Sequence, residues 1–424
     1  MVMSHDKARA EYAGYFITPS GELSEENVQP PQWYVSEVPG LAGDFWPLRD
    51  GAIWRSEADA QAFWRLARGR HPADGRPLAR NHKHPRRVAM HDFTFSPPKS
   101  VSVLWGLAVD DTAGAIEAAH EAAVKAGLRV LSAAAYCRLG KGGVRKVPGQ
   151  LVGALFSHPC SREADPQLHT HAVMMNVCQV SGQATAALEV RGMLMSQGAA
   201  ACVYAFELAH RMNKLGMTVV PTHHGHLFDL AEVPAHVRDM FSTRQRQVQD
   251  ELDRSRTKKR RGLHMSPPSR AQRQRAVLVS RREKVALPLA SLHAEWRARA
   301  LSAGFVMGQL SSEDYSQERE KTSPSKDALH STLEQHLAAK FEESTFVKDA
   351  SICVEACAAL MGQCDAAQLF ELLEDFGWTP KHAPTRLSKL PIRRAPQDVV
   401  AGPSVDSSSM TAGRLNQPQH VKPW

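Results

Sequence analysis

A chain of 424 residues, 43% hydrophobic and 23% charged, has the composition of a globular protein with one large core and a small second one, which excludes a fibrous or wholly disordered chain. The net charge of +8 does not alone demand a nucleic-acid partner, but basic residues cluster while acidic ones scatter. Seven cysteines, odd in number and widely spaced, form no disulfide framework. No apolar run reaches membrane-spanning length and the first residues lack a signal-peptide core, so no membrane segment and a cytoplasmic setting are expected.

In chain order, AEYAGYF places Tyr12 and Tyr15, two of six tyrosines, in a short amphipathic helical segment. A proline-rich connection runs to Gln32, Trp33 and Tyr34. SEADAQAFWRLARG (56–69) reads as a helix, with Ser56 as N-cap and Gly69 closing it. Arg70 to Arg87 is a basic loop, suited to phosphate contacts or simply solvated. HDFTF (91–95) alternates as a strand, and SPPKS breaks it. Residues 112–136 form an alanine-rich helix capped by Thr112, with Ile116, Ala119, Ala123, Val124 and Leu131 on its buried side. KGGVRK (141–146) turns the chain into an apolar strand that ends at His158.

HPCSREADPQLHTHAVMMN (158–176) follows. Side chains repeat every two residues along a strand, so His169 and His171 project from one face about 6–7 Å apart. SREADPQ carries the Asp-Pro of a reversal. Antiparallel pairing would bring His158 to the same end of the sheet, giving three imidazoles and an open position, as in a catalytic metal site. A histidine in a strand is often only a surface or structural group. Glu163 and Asp165 are acidic enough to steady a ligating histidine.

Residues 193–215 make a second long helix closed by Gly216. A hairpin around Gly225 carries a rival cluster, His223, His224 and His226, whose side chains diverge into solvent from the turn itself. Residues 238–262 are helical and end in a basic run from Arg254 to Arg261, and helical pattern continues over 291–300. Residues 305–327 read as a linker and 328–379 as a small helical unit. Its Cys353, Cys357 and Cys364 are core thiols, since C-x3-C-x6-C on helices is not a zinc spacing. Residues 380–424 read as a disordered tail.

HDFTFSPPKSVSVLWGLA (91–108) and SREADPQLHTHAVMMN (161–176) resemble the two signature blocks of the TrwC/TraI conjugative relaxases, within the wider HUH group of single-strand DNA endonucleases. AFELAHRMNKLGM (205–217), the hairpin ending in FDL (228–230) and AEWRARA (294–300) extend the resemblance across roughly residues 5–300. It implies an α+β relaxase domain over 1–304, with a central antiparallel sheet and flanking helices. It also implies a reaction, in which a tyrosine attacks a phosphodiester of single-stranded DNA at an origin of transfer and becomes linked to the 5′ phosphate. A later reverse transfer rejoins the strand.

The resemblance further implies a divalent ion on His158, His169 and His171. Mg²⁺ and Mn²⁺ are typical of the family, whereas three neutral imidazoles lean toward Mn²⁺, Zn²⁺ or Ni²⁺. Asp92 matches an acidic residue beside the metal, which either orients a ligating histidine or accepts the tyrosine proton. Lys99 and Arg162, inside the two blocks, contact phosphate or hold local structure. A DNA hairpin with an adjoining single strand is the implied partner, and Arg80, Lys83, Arg86, Arg87, Lys258, Lys259, Arg260 and Arg261 are candidates for its backbone. The resemblance also implies accessory relaxosome proteins and a coupling protein as partners. No G-x4-G-K-[ST] phosphate loop is present, so the chain is expected to have no helicase activity of its own and to rely on a separate helicase.

The N-terminal segment departs from the family pattern, with only Tyr12 and Tyr15 ahead of Trp33 and little room for a preceding strand. Two alignments stay open. Tyr12 or Tyr15 is the catalytic cluster, or both represent a second cluster and the first is missing. In the latter case the chain is an accessory binder of origin DNA that does not cleave.

Overall fold

The computed structural model describes residues 3–17, 30–36, 51–109, 111–180, 185–223, 225–257, 267–280, 288–306, 324–341, 347–378 and 387–388. Lys258, Lys259, Arg260, Arg261, His224, most of the expected linker 305–327 and nearly all of the expected tail 380–424 lie outside the described residues. The elements that position the site are, in order, β1 (Met3–Ala8), a 3-10 turn (Ala10–Tyr15), β2 (Gln32–Val35), α1 (Glu57–Ala67), β3 (Met90–Phe95), α2 (Lys99–Leu107) and α3 (Asp111–Ala133). After them come β4 (Tyr136–Leu139), β5 (Arg145–Pro148), β6 (Val152–Cys160), β7 (Pro166–Met175) and α4 (Arg191–Lys214). Four more helices follow: α5 (Ala235–Met240), α6 (Thr243–Thr257), α7 (Arg270–Val279) and α8 (Leu289–Ser302).

Five strands form one sheet in the order β1-β3-β7-β6-β2, every neighbour antiparallel, so the α+β architecture with a central antiparallel sheet is as expected. The β6–β7 hairpin lies at its centre and β1 and β2 at its two edges. Register assigns the faces. Trp33, Ala154, Phe156 and Val173 share one face, which packs with Phe63, Leu66 and Phe16. The alternate residues Phe93, Phe95, Leu155, Ala172 and Met174 line the other, and Phe95 meets Tyr204 of α4 there. Gly153 in β6 has no room for a side chain, since a Cβ there would stand 2.5 Å from Val173 O.

Helix boundaries follow local chemistry. Ser56 and Asp59 form a capping box at the start of α1, and Gly69 (φ 68°) and Gly216 (φ 83°) take the left-handed conformation just beyond α1 and α4. α3 begins at Asp111, so Thr112 lies inside its first turn and is not the cap. The chain leaves α3 at Ala133 and enters β4 at Tyr136, three residues before the expected helix end. The five residues expected on its buried side are all buried.

A strand does precede the tyrosines, contrary to expectation: Met3–Ala8 pairs residue for residue with β3, from Met3 against Phe95 to Ala8 against Met90. Four of its six residues, Ser4 to Lys7, are polar, as suits an edge strand with one neighbour and a wet rim.

Helices Asp349–Ala359 and Ala366–Asp375 pack on α4, where Glu207 Oε2 accepts from Ala366 N (2.7 Å) and Asn213 Nδ2 donates to Gly362 O (3.0 Å), and helix Lys326–Lys340 packs on Asp349–Ala359. The chain up to Pro391 forms one compact unit. Cys353, Cys357 and Cys364 are buried there as core thiols, and burial pushes the Cys364 thiol up to about 12. Among the described residues no helix is long and apolar enough to cross a membrane.

Candidate metal centre and tyrosine cluster

His158 stands directly opposite His169 across the β6–β7 hairpin, and His171 opposite Phe156. The pleat therefore places all three imidazoles on the face that carries Phe156 and Val173. Their ring centroids lie 5.1–5.2 Å apart and one ring nitrogen from each falls within 4.8 Å of the others. Among the described residues this is the one group of three or more metal-ligating side chains, and His223 and His226 are not part of such a group.

Hydrogen bonds set which nitrogen His169 and His171 offer. His171 Nδ1 donates to Asp92 Oδ2 (2.8 Å) and His169 Nδ1 to the carbonyl of Gln167 (2.8 Å), which leaves the Nε2 lone pair of each ring for a ligand. Asp92 is 3% exposed, and Thr94 bridges it to His171, with Oγ1 at 3.4 Å from Asp92 Oδ1 and 3.2 Å from His171 Nδ1. Asp92 and Thr94 are two apart on β3, so both point to the histidine face. Three imidazoles with oriented rings and one buried carboxylate behind them are a donor set that fits a divalent cation.

The 3-10 turn lies over the same face. Phe16 stacks on Phe156 with centroids 4.3 Å apart and contacts His171 at 5.5 Å. The Tyr15 ring meets His158 and His171 edge-on at 6.3 and 6.4 Å, and Tyr12 stacks on Tyr15 at 5.3 Å. Both tyrosines are half-buried. Tyr15 is thus in ring contact with two of the three imidazoles.

The TrwC relaxase profile matches residues 7–303, more than half of the chain. The chain belongs to the TrwC relaxase family. It is similar to the multifunctional conjugation protein TraI of Escherichia coli, 32% identical over 266 residues. That match covers 59% of this chain and 14% of the TraI chain. TraI of E. coli strain K12 is 38% identical over 151 residues, which are 34% of this chain and 8% of that one. The chain thus spans a small part of the curated relatives it matches. Solved structures of the conjugative relaxase TrwC with oriT DNA, metal-free and metal-bound, superpose with TM-scores of 0.60 and 0.59 at 28% and 29% identity. Each covers 72% of this chain and the whole of the TrwC chain.

The other expected site residues of this relaxase are placed as follows. Lys99 Nζ donates to Pro166 O (2.9 Å) at the start of β7, and desolvation lowers its ammonium to about 8. Arg87 is 7% exposed, turned inward to Ala67 O (2.9 Å) and Asn176 O (3.3 Å) rather than outward to solvent. Arg80, Lys83 and Arg86 are exposed on the same loop, and Arg162 is half-buried in the β6–β7 turn. Asp165 steadies no histidine: its carboxylate accepts from Thr243 N (2.8 Å) and from Arg299 Nη2 (3.1 Å). Thr94, Phe16 and the Gln167 carbonyl were not foreseen. Thr94 alone had a visible signal, its two-residue offset from Asp92 in HDFTF.

Proposed function

We propose that this TrwC-family relaxase nicks and rejoins single-stranded DNA at an origin of transfer, with Tyr15 as the nucleophile. The observation that carries the reading is the Tyr15 ring set edge-on against His158 and His171, on the face where the three imidazoles converge. The strand Met3–Ala8 ahead of the turn supports assigning Tyr12 and Tyr15 to the family's first, catalytic cluster.

In this mechanism the Tyr15 hydroxyl oxygen attacks phosphorus, the bond from phosphorus to the 3′ oxygen breaks, and the 5′ phosphate stays on the tyrosine. The phenol is a poor nucleophile while protonated, so its proton must leave during attack. A divalent ion held by His158, His169 and His171 would polarise the scissile phosphate and stabilise charge that builds on its oxygens. Asp92 holds the His171 ring and its tautomer, which favours the orienting role over that of proton acceptor. Reversal, with the free 3′ hydroxyl attacking the phosphotyrosine, restores the strand. The metal is proposed as Mg²⁺ or Mn²⁺, and a cytoplasmic setting, accessory relaxosome proteins, a separate helicase and a coupling protein belong to the same proposal. TrwC was solved with DNA comprising a recognition hairpin and the cleavage site, and a hairpin with an adjoining single strand is the partner proposed here.

Incubation with single-stranded origin DNA and Mn²⁺ followed by denaturing electrophoresis tests this. The expected result is a covalent protein–DNA adduct that Tyr15→Phe abolishes and Tyr12→Phe weakens at most. His169→Ala and His171→Ala should lose metal-dependent cleavage while retaining most DNA affinity, which is largely electrostatic. Binding without cleavage would make the chain an accessory binder, and a free 5′ phosphate with no adduct would assign the attack to water.

A further inference from the structure

A cavity of about 360 Å³ opens beside the tyrosine turn, lined among others by Glu11, Arg68, Arg70, Lys83, His84 and Arg87. Arg68 and Arg70 follow the end of α1, Lys83 and His84 lie on the basic loop, and Glu11 sits next to Tyr12 on the turn. Cations from separate segments thus converge on one concavity, unlike a solvated run on a convex helix. At its base Arg87 is a buried guanidinium whose hydrogen-bond partners are two neutral carbonyls, and among the described residues no carboxylate pairs with it. A buried cation without a counter-charge is costly unless an anion completes it.

The donors are preset. His84 Nδ1 accepts from the backbone N–H of Arg86 (3.2 Å), so its neutral tautomer carries the hydrogen on Nε2 and can donate it to a ligand oxygen. Arg68 is held by its guanidinium lying 4.7 Å from the centroid of the Trp64 ring.

We propose that this cavity binds one phosphodiester of the DNA single strand on which Tyr15 acts, with Arg87 as the buried floor and Arg68, Lys83 and His84 closing around the oxygens. The assignment rests on the relaxase reading above and adds to it a phosphate-binding site separate from the metal. The tyrosine turn borders this cavity through Ala10 and Glu11, so a phosphate held there would lie beside the turn that carries Tyr15. Glu11 is the one acidic lining residue and opposes the ligand.

The test is fluorescence anisotropy of a labelled oligothymidylate with the full chain in EDTA, over a range of NaCl concentrations. One phosphate contact on a single strand contributes about 0.7 to the slope of log affinity against log salt. Arg68→Gln and Lys83→Gln, both exposed, should each lower affinity several-fold, and the slope should fall by no more than about 0.7 because the remaining cations still face the phosphate. The double variant should likewise lose no more than about 0.7 of slope in all, because the two cations share one phosphate. Glu11→Gln should bind several-fold tighter. Unchanged affinity and slope in these variants, while the wild type binds, would overturn the cavity and leave the nicking reading intact. A double variant that lowers the slope by about 1.4 would mean two separate surface phosphates and would overturn it too. A wild type that does not bind oligothymidylate at low salt would overturn the cavity as a single-strand phosphate site, while the nicking reading stands or falls on the covalent adduct with origin DNA.

Discussion

Asp92 presents its carboxylate to the back of an imidazole, and that single contact fixes the tautomer, the rotation and the basicity of His171 at once. Thr94 holds the same pair from the side. Asp92→Asn keeps the shape and can still accept from Nδ1 but removes the charge. Mn²⁺ affinity measured by isothermal titration should fall by about 10- to 100-fold with an unchanged melting temperature. An affinity equal to wild type would remove Asp92 from the metal's support. The same residue shows what a sequence conveys: Asp92 and His171 were both legible as site members from their motif blocks, whereas the hydrogen bond between them spans 79 residues and exists only once β3 pairs with β7.

At the scale of elements, the histidine hairpin is tied to the helices behind it through a buried polar relay. His120 on α3 bonds Tyr204 of α4 through Nδ1 (2.9 Å) and Thr170 of β7 through Nε2 (2.9 Å), and Thr170 meets Ser157 of β6 at 2.9 Å. Ser157 and Thr170 are paired across the hairpin, one residue from His158, His169 and His171. Full burial lowers the His120 imidazole from 6.5 to about 3. A folded value below the unfolded one means that the unfolded chain binds the extra proton between them. The stability due to neutral His120 is thus complete above pH 6.5 and is lost as pH falls toward about 3. Urea unfolding of the wild type should weaken across that window by up to about 1.4 kcal/mol per pH unit from this group. His120→Gln should be less stable at neutral pH yet flatter in acid, and an equal acid slope in both would place the titration elsewhere. The helices that hold this relay were readable from periodicity and, for α4, from the closing Gly216, within a few residues at each end, although Thr112 is not the cap expected for α3. β1 was not, because MSHDKA carries no apolar alternation of its own and is a strand only through its pairing with β3.

Across the whole molecule, the late helices close on the turn that launches β7. Asp165, 1% exposed, is clasped by Arg299 of α8 and by the first backbone N–H of α6, while Trp296 Nε1 donates to Ala164 O (2.6 Å). Ala164 has φ 57°, a left-handed conformation that L side chains take up at a cost, and the Trp296 contact holds it there. Gly106 of α2 admits this packing, since a Cβ there would lie 2.9 Å from both Trp296 and Pro166. The AEWRARA block, visible in sequence as a resemblance without a stated role, thus acts as the clasp of the metal hairpin's turn. Its partner was illegible because Asp165 and Arg299 are 134 residues apart. Arg299→Gln strands a buried carboxylate and should cost about 3 kcal/mol in urea unfolding, the low end for a buried pair because Arg299 is 30% exposed. Adding Asp165→Asn should restore much of the loss, and a single variant as stable as wild type would discount the clasp.

The order β1-β3-β7-β6-β2 has one more consequence, a mechanical one. The chain leaves the sheet at one rim, passes through the tyrosine turn and returns at the opposite rim. With a DNA strand attached to Tyr15, a pull on that strand would run first into β1, whose one neighbour in the sheet is β3, and into β2, which is held by β6 and by hydrogen bonds with residues 51–54. The histidine hairpin, held on both sides, sits outside the path of that tension. Force should therefore peel β1 before it disturbs the metal centre, and a stretched covalent intermediate would keep its ion-holding half ready for resealing once the strand slackens.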